Sequence, residues 1–310
     1  MKLKYLSYIL LAATSVFCAC GEDDEIKPVT LDMPHSVIGV RDAMPYAGRK
    51  EIPAIKDPNM FIVHYTDMNG VTYAIEWDKD QKTQRWAAYT MNNRNNTKGW
   101  ARNNWAGAEW KGRMWYSDPF QEDSIIPSQY RTTLDDYKGS GYDRGHIVNS
   151  NDRLISQNAN GQTYYLSNIQ PQMNKFNAQI WLNFENVVHN WGTSLRSDET
   201  LYIVKGGTTQ KTAKVPQPFL VDTKVSLKVP KYFFMAILKY NSTQQTYQAI
   251  ALWVEHKASN DTNVRSYAIS VDELEEKTGI NFFINLSDDV EDKVEAVCNV
   301  NNWNWGKYTN

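Results

Sequence analysis

The chain has 310 residues, of which 42% are hydrophobic and 22% charged. That is ordinary for a soluble globular protein and leaves ample material for a core. A formal net charge of −2 excludes attraction of nucleic acid by overall charge, so any such partner needs a local basic patch.

The N-terminus reads as a targeting segment. Lys2 and Lys4 precede a mostly apolar run, Tyr5 to Phe17, too short to span a membrane and stay there. The run ends Phe17-Cys18-Ala19-Cys20-Gly21 and resembles a bacterial lipoprotein signal, although Phe17 and Cys18 depart from the usual lipobox. The resemblance implies removal of residues 1–19 and acylation of Cys20. The acids from Glu22 to Glu25 resemble tags that carry some Gram-negative lipoproteins to the cell surface. The expectation is an exported outer-membrane lipoprotein that meets the membrane through its lipid only. With Cys20 acylated, Cys298 is left alone and no intrachain disulfide is possible. Of 33 Lys+Arg, loss of Lys2 and Lys4 leaves 31 against 35 acids, a balance of −4.

Residues 20–56 read as a tether and entry segment, rich in acids and prolines such as Pro28, Pro34 and Pro53. From there a domain, 57–310, begins with strands. Phe61–Tyr65 and Val71–Trp77 flank Asn69-Gly70, the pattern of a hairpin, and Trp86–Tyr89 is a further strand. Residues 92–113 then carry Arg94, Lys98, Arg102, Lys111 and Arg113 against one acid, Glu109. Trp100, Trp105, Trp110 and Trp115 recur every five residues. A basic loop with aromatics can line a nucleic-acid groove, but the Trp spacing is better read as a loop pinned to the core. Strands follow at Leu201–Val204, Tyr232–Leu238 and Tyr247–Val254. Ser270 to Glu273 is a capping box opening a helix Val271–Thr278, with Gly279 at its C-cap. A last helix is expected over Asp288–Val297. Strands on both sides of a central motif, with few helices, predict a mixed α+β single domain.

The central motif carries the chemistry. In Asp143-Arg144-Gly145-His146, strand geometry puts Arg144 and His146 on one face. A guanidinium suited to phosphate then lies beside a general base. Gly145 permits close approach of a ligand or strand, and Asp143 faces away, toward backbone or an arginine. Downstream, Asn177, Trp181 and Glu185 follow i, i+4, i+8 on a helix. Asn177 can be the direct ligand of a hydrated Mg²⁺, and Glu185 can orient its water. Taken singly, each has a bland reading: a structural histidine, a helix cap, a solvated acid, a surface ion pair. The ordered combination favours cleavage of a phosphodiester.

These residues resemble the DNA/RNA non-specific endonucleases of the ββα-metal type. The similarity includes Asp143 to His146, Tyr165-Leu166-Ser167-Asn168-Ile169, Pro171-Gln172, Asn177, Trp181 and Glu185, together with Arg113-Met114-Trp115-Tyr116-Ser117-Asp118-Pro119 upstream. It runs in order from about Trp86 to Val297. The resemblance implies an α+β fold with a largely antiparallel sheet core and a ββα-metal active-site motif. It implies His146 as base, Asn177 as Mg²⁺ ligand (Mn²⁺ as a substitute), Glu185 on the metal water, and Arg144 and Arg113 on phosphate. Asn168 supports the site, and Gln172 falls among the substrate-binding positions. His189, a further substrate-binding position facing phosphate, stands where the family often has arginine, and Ile147-Val148-Asn149 replaces the common apolar-Ala-Pro. His35, His64 and His256 match no motif.

The expected activity is Mg²⁺-dependent cleavage of DNA and RNA to 5′-phosphate ends, with recognition through the phosphate backbone. Two rivals stand beside it. One is a lipoprotein that captures nucleic acid without cutting it, which has no need of His146, Asn177 and Glu185. The other is a glycan-directed protein, suggested by the tryptophans, which needs paired carboxylates in a cleft.

Overall fold

A computed structural model describes residues 37–38 and 44–308, apart from 223–224 and 259. The signal segment 1–19, Cys20 and the tether as far as residue 36 lie outside the described residues. Among those described, no helix is long and apolar enough to cross a membrane.

The frame is an eight-stranded sheet. In chain order its strands are β1 (Val37–Ile38), β2 (Met60–Thr66), β3 (Gly70–Asp78) and β4 (Thr83–Met91). Two strands of a small ribbon intervene, β5 (Ala108–Trp110) and β6 (Arg113–Trp115), then two of another, β7 (Asp143–His146) and β8 (Ile169–Gln172). The sheet resumes with β9 (Glu199–Gly207), β10 (Tyr232–Asn241), β11 (Thr246–Glu255) and β12 (Ala268–Ile269). The spatial order is β1-β2-β3-β4-β9-β10-β11-β12, and every neighbouring pair is antiparallel.

Side-chain alternation divides this sheet between two cores. Ile62, Ile75, Tyr89, Ile203 and Ile237 point to one face, and Phe61, Ala74, Trp86, Val204 and Phe234 to the other. Both faces are dry, which explains strands that are apolar almost throughout.

Short helices fill the connections: α1 (Met44–Ala47), α2 (Leu134–Tyr137) and α3 (Gln157–Gln162). A longer helix begins as α4 (Asn174–Phe176) and ends as α5 (Leu182–Thr193). It covers the first face through Phe184, Val187 and Val188. The second face is covered by α6 (Val271–Thr278) and α7 (Asp288–Glu295), with Leu274, Val290 and Val294 turned inward.

The expected hairpin, strands and C-terminal helices are all present. Gly70 takes a positive φ of 68° at the hairpin turn, where any side chain would be strained. Gly279 does the same at the C-cap of α6. Ser270 Oγ accepts from the Glu273 amide at 3.1 Å. The return half of the capping box is replaced by a Glu273–Lys277 pair at 3.2 Å. Helix α7 stops at Glu295, two residues short of expectation.

Candidate active site

Strands β7 and β8 pair antiparallel, with Asp143 opposite Gln172 and His146 opposite Ile169. The chain then enters α4, makes one π-helical stretch over Asn177–Trp181, and continues as α5. This corrects the uniform helix expected from Asn177. A π turn closes i→i+5 bonds, so Asn177, Trp181 and Glu185 do not form one i, i+4, i+8 stripe. Trp181 turns fully inward, and its indole N–H donates to the His146 carbonyl at 3.0 Å. That bond ties the helix to the strand that bears the base.

Arg144 and His146 do share a face. The Arg144 guanidinium sits 4.1 Å from the centre of the Phe120 ring, and Phe120 packs on the His146 ring at 5.4 Å. Tyr164 meets the same imidazole edge-on at 4.9 Å. These rings set its orientation. Among the described residues, nothing bonds the buried His146 Nε2. Burial, then the charge of Arg102, pushes the imidazole down to about 3, with Arg144 adding to the effect and Asp118 opposing it. The ring is therefore neutral near pH 7, as a general base must be.

Gly145 makes room for a neighbour within the protein. A Cβ there would lie 2.2 Å from Gln172 Cδ. Gln172, expected at the substrate, is fully buried and forms the support beneath Gly145.

Asp143 is the residue that sequence reasoning undervalued. Its Oδ2 accepts from Asn177 Nδ2 at 3.0 Å and from Asn174 Nδ2 at 3.1 Å, where backbone or an arginine was expected. An ionised carboxylate only accepts hydrogen bonds, so Asn177 must give it the NH₂ group and keep Oδ1 for another partner. The start of this helix is held from the far side by His256. Its Nε2 accepts from the Met173 amide at 2.7 Å, and its Nδ1 donates to the Pro230 carbonyl at 2.8 Å. Burial keeps His256 neutral, at about 4. Asn168 acts similarly on the loop after His146. It accepts from Val148 N at 2.8 Å and donates to the carbonyls of Val148 and Thr163 at 3.0 and 2.8 Å. It is a positioning residue.

Glu185 lies on α5, buried, with Oε1 unpartnered among the described residues. Behind it Lys205 reaches to 3.8 Å from Asp152 Oδ2. Tyr89 donates to that same oxygen at 2.5 Å, and His189 Nδ1 lies 2.7 Å from Asp152 Oδ1. Burial pushes Glu185 up and Lys205 down, and each charge opposes the other's shift. For Asp152, burial alone would raise the acid. The His189 hydrogen bond and the charge of Lys205 hold it below its usual value. His189, expected on phosphate, is thus engaged with Asp152.

The basic segment is anchored as its tryptophans suggested. Trp105 donates to Asn160 Oδ1 and Trp110 to Asn158 Oδ1, both at 2.8 Å. Arg113 stays exposed, stacked 4.2 Å over Trp115. Arg102, one of the basic residues of this segment, matches no motif of the sequence. Its Nε donates to Asp118 Oδ1 at 2.9 Å, with a second bond from Nη2 to Oδ2. Its charge acts on both His146 and Glu185, which puts it beside the site. No local pattern marks it, because Asp118 is sixteen residues away.

The donor set suits a hydrated divalent cation. Asn177 Oδ1 is turned away from Asp143, and His146 Nε2 and Glu185 Oε1 are buried atoms lacking partners. Buried polar atoms are rarely left so, and one direct oxygen plus water is a normal demand of Mg²⁺.

Residues 61–289 match the family model described as DNA/RNA non-specific endonuclease. A "Nuclease" from Nostoc sp. is 28% identical over 233 residues, which is 72% of this chain and 75% of that protein. The "Mitochondrial nuclease" of Saccharomyces cerevisiae is 33% identical over 173 residues, 52% of each chain. Human "Endonuclease G, mitochondrial" is 27% identical over 172 residues, 54% of this chain and 57% of that one. Among solved structures, the EndoG/EndoGI complex contains a chain with a TM-score of 0.57 and 20% identity, covering 70% of this chain and 85% of that one. That likeness concerns the fold.

Proposed function

This chain belongs to the DNA/RNA non-specific endonuclease family and is an endonuclease, and we propose that it hydrolyses both DNA and RNA with Mg²⁺, leaving 5′-phosphate ends. The observation that carries the metal assignment is the Asp143–Asn177 hydrogen bond, because it commits the asparagine's oxygen to a ligand. Asn177 would hold the ion. Bound there, it would supply positive charge to the phosphoryl oxygens and the departing 3′ oxygen.

The chain's own groups do the rest. His146 Nε2 removes a proton from the attacking water, which needs the neutral ring the site enforces. Arg144, held flat on Phe120, meets the non-bridging oxygens, and a guanidinium does so bidentately. Glu185 Oε1 accepts a hydrogen bond from water and turns it toward the phosphorus. Arg113, exposed over Trp115, offers a second guanidinium to phosphate. Recognition through phosphates is indifferent to base sequence. Mg²⁺ titration of plasmid cleavage tests the metal assignment: activity restored after EDTA by Mg²⁺, and by Mn²⁺ in its place, supports it, and unchanged cutting in EDTA refutes it.

Export and anchoring belong to the proposal on sequence grounds. Lys2, Lys4, the apolar run and Cys20 support a lipoprotein acylated at Cys20. Radiolabelled palmitate should enter the wild type and not Cys20→Ser. Equal labelling of the two would refute the anchor.

A further inference from the structure

A cluster of acids lies on the face of the sheet opposite His146, and its reading does not rest on the nuclease assignment. Helices α6 and α7 pack side by side over the second core. They carry nine acids between them: Asp272, Glu273, Glu275, Glu276, Asp288, Asp289, Glu291, Asp292 and Glu295. Three of these have lysines. Glu273 pairs with Lys277 at 3.2 Å, Glu276 with Lys214 at 3.3 Å and Asp289 with Lys293 at 3.8 Å.

Asp272, Glu275 and Glu295 are different. One carboxylate oxygen from each lies within 4.8 Å of the other two. Among the described residues no lysine, arginine or histidine pairs with them. Glu275 accepts from the Phe282 amide at 2.7 Å through Oε1. Glu295 is the decisive member. It is only 3% exposed, and its Oε1 is buried with no hydrogen-bond partner among the described residues. A buried carboxylate without a partner is strongly disfavoured, and the groups around this one are more carboxylates.

We propose that Asp272, Glu275 and Glu295 bind a divalent cation of the calcium class, which joins α6 to α7. The chemistry fits a hard ion with oxygen ligands. Calcium takes six to eight oxygens at about 2.3–2.6 Å, so two ligands on opposite sides of one ion stand up to about 5 Å apart. Exposed Asp272 leaves one side open to water, which completes the shell. Magnesium demands a tighter octahedron and sheds its waters reluctantly.

The test uses the full chain carrying Asn177→Ala, which removes the catalytic ion as a contributor. CaCl₂ should raise the Tm of this protein. NaCl at matched ionic strength should not, and MgCl₂ should act less. Glu295→Gln in that background should abolish the rise. Asp272→Asn should weaken apparent Ca²⁺ affinity by about tenfold, since it removes one of three charged ligands. If Glu295→Gln does not fold, exposed Asp272→Asn decides alone. No calcium-dependent rise, a rise matched by NaCl, or one unchanged in Asp272→Asn would overturn the site.

Discussion

Asp143 Oδ2 and Asn177 Nδ2 are joined by a 3.0 Å hydrogen bond across the gap between strand β7 and the helix that follows β8. The signature's first residue thereby sets the orientation of the Asn177 amide, though the two are thirty-four residues apart. Asp143→Ala removes the carboxylate and frees the amide to rotate. Loss of such an outer partner lowers metal affinity by about 10–100-fold. The apparent Mg²⁺ constant for plasmid cleavage should rise by that factor, with much of the rate recovered at saturating Mg²⁺. An unchanged Mg²⁺ constant would show that Asn177 is placed by other contacts.

Arg102 should matter as much as Arg144. Held by Asp118 and close to His146 and Glu185, it adds positive charge where phosphate charge builds up. Arg102→Ala should lower kcat/KM by about tenfold or more, a loss on the scale of one charge-assisted hydrogen bond. Arg102→Lys should recover part of it. Steady-state kinetics on a short duplex checks this, and wild-type values in Arg102→Ala would remove the residue from the site.

His189 tests a different expectation. Because it partners buried Asp152, His189→Ala should reduce stability by about 1–3 kcal/mol, the usual consequence of leaving a buried acceptor short of a partner. Urea denaturation measures this. A large rise in KM with unchanged stability would instead return His189 to the phosphate.

Stability should also depend on pH through the α6–α7 carboxylates. Unfolded, Glu275 and Glu295 ionise near the ordinary value of about 4.3. Folded, burial first and neighbouring acids next raise Glu295 to about 9 and Glu275 to about 7. Their contribution is therefore fully present below the unfolded value and is lost as pH rises through those folded values. In EDTA, Tm should fall as pH rises from about 4.5 to about 9, and Glu295→Gln should flatten the fall. A wild-type Tm that rises across that window would contradict the shifts.

Local signals were legible in the sequence because their causes are local. Asn69-Gly70 marks a turn that needs positive φ, Ser270 caps a helix, and alternation puts Arg144 beside His146. What escaped depends on partners distant in the chain. The π-helical stretch at Asn177–Trp181 has no signature of its own, since its sequence also suits an α-helix. The clamps made by Asp143 on Asn177 and by His256 on Met173 exist only once the strands are assembled. Gln172 looked available for substrate because nothing local shows that it fills the space where a Gly145 side chain would go. His189 looked like a substitute for arginine until Asp152 was placed beside it.

Digestion of plasmid and of total RNA by residues 21–310, with Mg²⁺ or EDTA and beside His146→Ala, is the most direct measurement. His146→Ala should lose the contribution of a general base, at least about 10²–10⁴-fold, and still bind nucleic acid. The expected result is cutting of both substrates by the wild type with Mg²⁺, none in EDTA, and none detectable in the variant. Intact DNA and RNA with wild-type protein and Mg²⁺, or undiminished cutting by His146→Ala, would contradict the role assigned to this site.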